Sequence, residues 1–172
     1  MIDGYTVTEI AQYAFSQKYD DARSLVGFNN MGEEVVVVIP DTIVIIGEKA
    51  FFCTNIEGIN IPASVQAIGI GAFAGTNCKI SVDSGNTTFA TIEGNLYNKK
   101  QKELIYFSKL NSEGTFIIPE GIVSIGDYAC FREYYLGQSF RLFLNILSVF
   151  QSHHFRLSKL SEAFCLQRFW LF

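Results

Sequence analysis

A short pattern recurs three times in this chain and limits its possible folds more than any other feature. The chain has three prolines, and every one of them directly follows an isoleucine. Seven residues after each proline comes a glycine that also follows an isoleucine (47−40, 69−62 and 126−119), and alanine stands three residues further on. The prolines and glycines of the three copies are Pro40 and Gly47, Pro62 and Gly69, and Pro119 and Gly126. Such self-similarity at fixed offsets is the signature of a repeat architecture.

One copy of the pattern predicts one coil of a stacked β structure. Ile59 and Ile61 alternate with smaller or polar residues, which indicates a half-buried strand. Pro62 cannot donate to a strand ladder, so we expect it to end that strand. We expect Gly69 to supply a backbone angle that is closed to other residues, and Phe73 to fill the interior of the coil. A single coil cannot bury its own faces, so it must stack on its neighbours.

The spacing Ile-Pro-x-x-(Ile/Val)-x-x-Ile-Gly-x-x-Ala-Phe resembles the BspA-type leucine-rich repeat, which is found in bacterial and protist surface proteins. Residues 39–51 and 61–73 carry it, and residues 118–131 carry it with Cys130 inserted. The resemblance covers residues 5–136, including an insertion like that family's between the second and third copies. It implies a right-handed, slightly curved β-solenoid and a surface or secreted role in adhesion. It also implies protein or extracellular-matrix ligands and no catalytic residues.

The predicted fold is a β-rich leucine-rich-repeat solenoid over residues 1–136, with short strands joined by short helical or 3-10 turns. Its predicted parts are a half-repeat near 5–15, repeats near 35–56, 57–80 and 115–136, and a small β-meander insertion at 81–110. The insertion is rich in β-forming residues, and turn-forming segments at Glu93-Gly94 and at residues 98–102 divide it into short strands.

Residues 137–172 form an atypical tail. Residues 1–136 contain 18 isoleucines and 5 leucines, whereas the tail contains 1 isoleucine and 7 leucines. The net charge changes from −7 (9 basic, 16 acidic) to +3 (4 basic, 1 acidic) at the same point. Three interpretations stay open. The tail is a helical cap on the last coil, a basic and aromatic helix that lies on a membrane surface, or a frameshifted or mis-spliced end.

The residue types that catalysis and metal binding require are scarce in the repeat region. Both histidines, His153 and His154, lie in the tail, so residues 1–136 lack the commonest general base. The four cysteines form no CxxC pair, which predicts neither a zinc site nor a disulfide framework. The net charge of −4 argues against nucleic acid as a partner, and no apolar run reaches the ~18 residues of a membrane span. The sequence therefore predicts a protein that is not an enzyme and has no metal and no cofactor.

A candidate binding face follows from aligning the three copies. Positions two and four residues before each proline alternate with the buried isoleucines and are expected to face outward. They are Val36 and Val38, Gly58 and Asn60, and Thr115 and Ile117. Stacked coils would join them in one flat, partly apolar face that suits a protein partner. The alternative is that the chain is a fragment, or a purely structural piece, of a longer repeat protein with no separate activity.

Two further features bear on where the protein acts. The sequon Asn86-Thr87-Thr88 makes Asn86 a candidate glycosylation site, provided that the chain enters a secretory route. The start of the chain has no basic segment followed by an apolar one, so the sequence predicts no secretory signal. The location therefore stays open, and the cell surface or secretion is implied by the family resemblance alone.

Overall fold

The computed structural model describes residues 5–16, 18–19, 25–26, 36–54, 56–76, 78–108 and 119–131, and for 18–19 and 25–26 it describes the backbone. The predicted tail 137–172 and the predicted face residues Thr115 and Ile117 lie outside these stretches. The described residues contain twelve short strands. They are β1 (Glu9–Ile10), β2 (Lys18–Tyr19), β3 (Leu25–Val26), β4 (Val36–Val38), β5 (Ile45–Ile46), β6 (Gly58–Ile61), β7 (Ala67–Ile68), β8 (Lys79–Val82), β9 (Phe89–Ile92), β10 (Asn95–Asn98), β11 (Glu103–Tyr106) and β12 (Ser124–Ile125).

The strands stack coil on coil as a β-solenoid of about four turns. One stack is the parallel sheet β4-β6-β8 and another is the parallel sheet β1-β5-β7, while β2 and β3 form a separate antiparallel pair. Burial alternates along β6, because Ile59 and Ile61 are 2% and 0% exposed whereas Asn60 between them is exposed. A shift of one residue would turn both isoleucines to solvent, so this alternation fixes the register. The solenoid predicted from the sequence is confirmed.

The prediction of short helical or 3-10 turns within the repeats is wrong for the described residues, where single hydrogen-bonded turns take their place. In the turn after β5, Ala50 N donates to Gly47 O at 3.3 Å. Lys49 has a φ of 49°, and this left-handed conformation prevents a right-handed helix from continuing. The next amide, Phe51 N, instead donates to Ala72 O of the neighbouring coil at 2.8 Å. Successive N–H groups therefore donate alternately to a carbonyl within the turn and to a carbonyl of the neighbouring coil, so these groups are hydrogen-bonded without a helix.

The repeated glycines are required by close approach between coils and not, as the sequence suggested, by their backbone angles. Neither Gly47 nor Gly69 has a φ in the left-handed region. A Cβ on Gly69 would lie 2.4 Å from Glu48 N, and a Cβ on Gly47 would lie 2.5 Å from Gln12 N. Both contacts are with the backbone of the preceding coil, so glycine is the residue that lets one coil seat against the next.

Aromatic rings fill the interior from coil to coil, as the sequence predicts for Phe73. The ring of Phe51 stacks on Phe15 with centroids 5.1 Å apart and on Phe73 at 5.6 Å. Tyr106 continues the column, edge-on to Phe73 at 6.3 Å. The Tyr106 hydroxyl donates to Thr76 O at 3.3 Å, so the polar tip of this ring has a partner inside the fold.

The insertion forms an antiparallel meander whose last strand rejoins the solenoid. Strand β10 pairs with β9 on one side and with β11 on the other, and β11 pairs in parallel with β12. Gly126 N donates to Leu104 O at 2.8 Å. Gly69 N donates to Ile46 O in the same way, also at 2.8 Å, between two earlier coils. Leu104 therefore occupies the isoleucine position of a coil, although the sequence around it lacks the repeat pattern.

Candidate functional site

The parallel sheet β4-β6-β8 presents two rows of outward residues. Val36 pairs with Gly58 and Gly58 with Lys79, while Val38 pairs with Asn60 and Asn60 with Ser81. We call the six residues of these rows the outer face. The structure thus brings together four of the residues predicted for the binding face and places them beside two more, whereas Thr115 and Ile117 lie outside the described residues.

The outer face combines exposed apolar side chains with small polar ones. Val36 and Val38 are 61% and 82% exposed, so two successive outward positions of β4 present apolar surface to solvent. Ser81 Oγ donates to Asn60 Oδ1 at 2.9 Å, which ties the second coil of this sheet to the third. Gly58 carries no side chain, so nothing projects from the sheet between Val36 and Lys79. The face is accordingly flat, and it is apolar along β4 and polar along β8.

Sequence reasoning missed Lys79 and Ser81 because their coil lacks the proline that marked the others. Asp83 stands where proline follows the earlier strands, and its N–H donates to Ile61 O at 2.9 Å, a bond that proline could not make. The alternation of Ile80 and Val82 with polar residues was the signal available in the sequence. Lys79 Nζ lies 4.0 Å from the Glu57 carboxylate and is 86% exposed, so this ion pair adds little stability.

Asn86 holds a structural position in the turn between β8 and β9. Its side chain is 1% exposed. Asn86 Nδ2 donates to Pro62 O at 2.9 Å and to Val65 O at 3.0 Å, and Oδ1 accepts from Thr88 N and Phe89 N, both at 2.8 Å. Glycosylation of Asn86 stays a prediction, and the folded geometry opposes it because the acceptor nitrogen is buried and donates both its hydrogens.

Replacing Asn86 by alanine is expected to lower the free energy of unfolding by about 3 kcal/mol, because it leaves buried backbone groups of two coils without partners. Thr88→Val is the matched control, since it removes the sequon and keeps the side-chain shape, and its expected loss is below about 1 kcal/mol. Urea denaturation of the two variants distinguishes the structural role from glycosylation. Equal losses in both variants would contradict the structural role.

Lys49, in the turn after β5, has two aromatic rings near its ammonium group. Its Nζ lies 4.6 Å from the ring centroid of Tyr128, 5.7 Å from that of Tyr13 and 3.3 Å from Glu48 Oε1. Burial lowers the pKa of Lys49, but Tyr128, Glu48 and Tyr13 together raise that pKa above its ordinary value. The ammonium group is therefore engaged within the fold, where it joins turns of different coils.

The described residues contain neither a cluster of metal-ligating side chains nor a helix that could span a membrane. Across residues 5–16, 36–54, 56–76, 78–108 and 119–131, no three histidine, cysteine or acidic side chains are grouped so that they could hold a metal ion. In the described part of the chain, no helix is long and apolar enough to cross a membrane. Four of the six residues predicted for the binding face lie together on the outer face, and their role in binding stays a prediction.

Known proteins share this repeat and this fold. Residues 26–104 match, in six copies, the family model described as the BspA type leucine rich repeat region. A leucine-rich repeat protein from Eubacterium ventriosum is 24% identical with a TM-score of 0.53, over 71% of this chain and 30% of that one. A leucine rich cell surface protein from Faecalibacterium prausnitzii is 25% identical with a TM-score of 0.50, over 68% and 28%. Among curated proteins, none matches this chain.

These comparisons confirm the repeat type that the sequence pattern resembles. The two bacterial structures share the solenoid, and the chain spans less than a third of the length of either.

Proposed function

Because the chain carries BspA-type leucine-rich repeats, we propose that it is a non-catalytic protein-binding module of the adhesin or surface-antigen kind. It acts at the cell surface, where it engages a protein or extracellular-matrix ligand through the outer face. The location is supported by the similarity to the leucine rich cell surface protein of Faecalibacterium prausnitzii. No catalytic activity is part of the proposal.

The observation that carries the proposal is the pair of exposed valines on β4. The stack holds Val36 and Val38 at 61% and 82% exposure at one border of a flat sheet, where solvent contact is unfavourable for apolar surface. The adjacent strands β6 and β8 supply small and polar groups at Gly58, Asn60 and Ser81. An apolar strip beside hydrogen-bonding groups on a rigid surface is the composition of a protein interface, and repeat proteins use such continuous faces for binding.

The double substitution Val38→Lys with Asn60→Lys is expected to weaken binding to immobilised fibronectin, laminin or collagen, whichever the wild-type chain binds, by about tenfold or more. Two ammonium groups in one row remove apolar contact area and add charge that the partner would have to desolvate. Surface plasmon resonance on the full chain measures the effect. The matched control is Val123→Lys, which changes a valine that is 45% exposed on another surface and should leave binding unchanged.

A second candidate is a structural piece of a longer repeat protein with no separate activity. The observation in its favour is that the chain spans 30% and 28% of the two bacterial proteins that share its fold. It predicts that the wild-type chain binds none of the three matrix proteins. Binding that survives the double substitution would instead assign the contact to a different surface.

A further inference from the structure

The stack that contains β5 and β7 is interrupted once. The sheet β1-β5-β7 ends at β7, and the next strands of the same stack, β11 and β12, belong to the sheet β12-β11-β10-β9. The residue at the glycine position of the β11 coil is Ile105, because Leu104 takes the place of the isoleucine before it. Gly69 seats its coil by placing its Cα against the backbone of Glu48. The branched side chain of Ile105 prevents the backbone of β11 from approaching the preceding coil as closely, so a gap remains between β7 and β11.

A cleft of about 230 Å³ lies at this gap. One wall is the edge of β7 and the turn after it, and the other is formed by the start of β11 and the turn after β12. Its lining includes Gln66, Ile68, Phe89, Glu103, Ile105 and Asp127. Phe89 is buried, whereas Gln66 is exposed, so the cleft has an apolar floor and a polar, accessible rim.

Two backbone carbonyls in the lining of the cleft belong to Gln66, just before β7, and to Ile68 within it. One coil earlier, Val44 O accepts from Gln66 N and Ile46 O accepts from Gly69 N, both at 2.8 Å. The corresponding groups one coil later are Gln66 O, just before β7, and Ile68 O within it, and no described residue donates to either. Carbonyls two residues apart on one strand edge are separated by about 6.6 Å, which is the spacing of alternate N–H groups on an extended strand.

Two acidic residues lie in the lining of the cleft. Glu103 and Asp127 both line it, and its described lining contains no lysine or arginine. Burial, and next the charge of Asp127, raise the pKa of the Glu103 carboxyl above its ordinary value. A cationic group placed between the two carboxylates would offset the repulsion between them.

We propose that this cleft binds an extended, basic peptide segment of a partner protein as an added strand on β7. Backbone N–H groups of the segment donate to Gln66 O and Ile68 O, and one of its lysine or arginine side chains reaches Glu103 and Asp127. The two carbonyls are spaced to accept hydrogen bonds from alternate N–H groups of one extended strand. A free amine offers a single donor group and cannot reach both carbonyls, so the spacing favours a strand. The carboxylates favour a basic segment over a neutral one. The cleft is separate from the outer face, so this proposal stands or fails independently of the function proposed above.

The test uses the full chain and a capped pentapeptide of alternating valine and lysine. Nuclear magnetic resonance titration follows the amides of Ile68 and Gly126. The wild-type protein is expected to bind this peptide about tenfold more tightly than the same peptide with its alternate amides N-methylated, because methylation removes the donors. Glu103→Gln with Asp127→Asn is expected to weaken binding about tenfold, while Glu120→Gln, a control in the last described coil, leaves it unchanged.

Three results would each overturn the proposal. They are equal affinity for the methylated and unmethylated peptides, unchanged binding in the Glu103→Gln, Asp127→Asn variant, and equal affinity for n-butylamine. The peptide comparison is made on the wild-type protein, so it decides the matter even where the double variant folds poorly. Lysine at Val38 and Asn60 should leave peptide binding unchanged, and this result separates the cleft from the outer face.

Discussion

Replacing Gly69 by alanine is expected to lower the free energy of unfolding by about 3 kcal/mol or more. The added methyl group would lie 2.4 Å from Glu48 N and 2.7 Å from both Glu48 Cα and Gly47 C, and all three atoms belong to the backbone of the preceding coil. No flexible side chain can move aside, so two coils must separate. Separation also strains the bond from Gly69 N to Ile46 O, which is 2.8 Å long. Urea denaturation followed by circular dichroism measures the loss.

Gly58→Ala is the matched control for this prediction. A Cβ on Gly58 would lie 3.4 Å from Lys79 O, which is an ordinary contact, so we expect a change within about 0.5 kcal/mol. Gly126→Ala should fall between the two, since its nearest contacts are at 3.2 Å and one of them is with the movable carboxylate of Glu103. If alanine at Gly69 and at Gly58 had equal effects, close seating of the coils would not be the reason for the repeated glycine.

Replacing Phe73 by alanine is expected to cost about 3–5 kcal/mol of stability. Phe73 is 1% exposed and stands between Phe51 and Tyr106, so its removal opens a cavity and takes a ring partner from each neighbour. Coils of a solenoid pack mainly against adjacent coils, and the cavity therefore weakens the packing of the Phe73 coil against its neighbours. We expect a lower urea midpoint and a broader transition.

Phe15→Ala is the control at the end of the same aromatic column. Phe15 is 45% exposed and stacks on one described ring, Phe51, at 5.1 Å. Its expected loss is about 1 kcal/mol, because less area is buried and little cavity remains. A loss for Phe15 that equals the loss for Phe73 would argue against a continuous column as the source of stability.

The spacing of a few residues was enough to predict the stacked strands. Ile61 and Pro62 mark where a strand ends, and the alternation around Asn60 indicates which side is buried, because strand geometry leaves one choice of face. The outer face could be predicted for the same reason at Val38 and Asn60. Its residues on the third strand, β8, could not be found by the proline marker, since Asp83 replaces proline after β8.

The sequence pattern of a single repeat could not predict conformations that depend on neighbouring coils. The reason for the glycine at Gly69 is a contact with Glu48, a residue 21 positions earlier (69−48), and no local pattern reveals such a contact. The left-handed turn residues include Lys49 and Tyr128, with φ of 49° and 63°, which are not residues that signal such a turn. The cleft above β7 arises because Ile105 sits at a glycine position, and that alignment required the pairing of β11 with β12.

The register of the outer face can be measured directly by disulfide crosslinking. Val38 and Asn60 are paired residues of adjacent parallel strands, so their Cα atoms should be about 4.8 Å apart, which lies within the range of about 4.4–6.8 Å that a disulfide bridges. Val36 is two residues out of register with Asn60, at about 8 Å. Mild oxidation and peptide mass mapping should therefore find a crosslink in Val38→Cys with Asn60→Cys and none in Val36→Cys with Asn60→Cys. A crosslink in the second pair and not in the first would contradict the stacking on which the outer face depends.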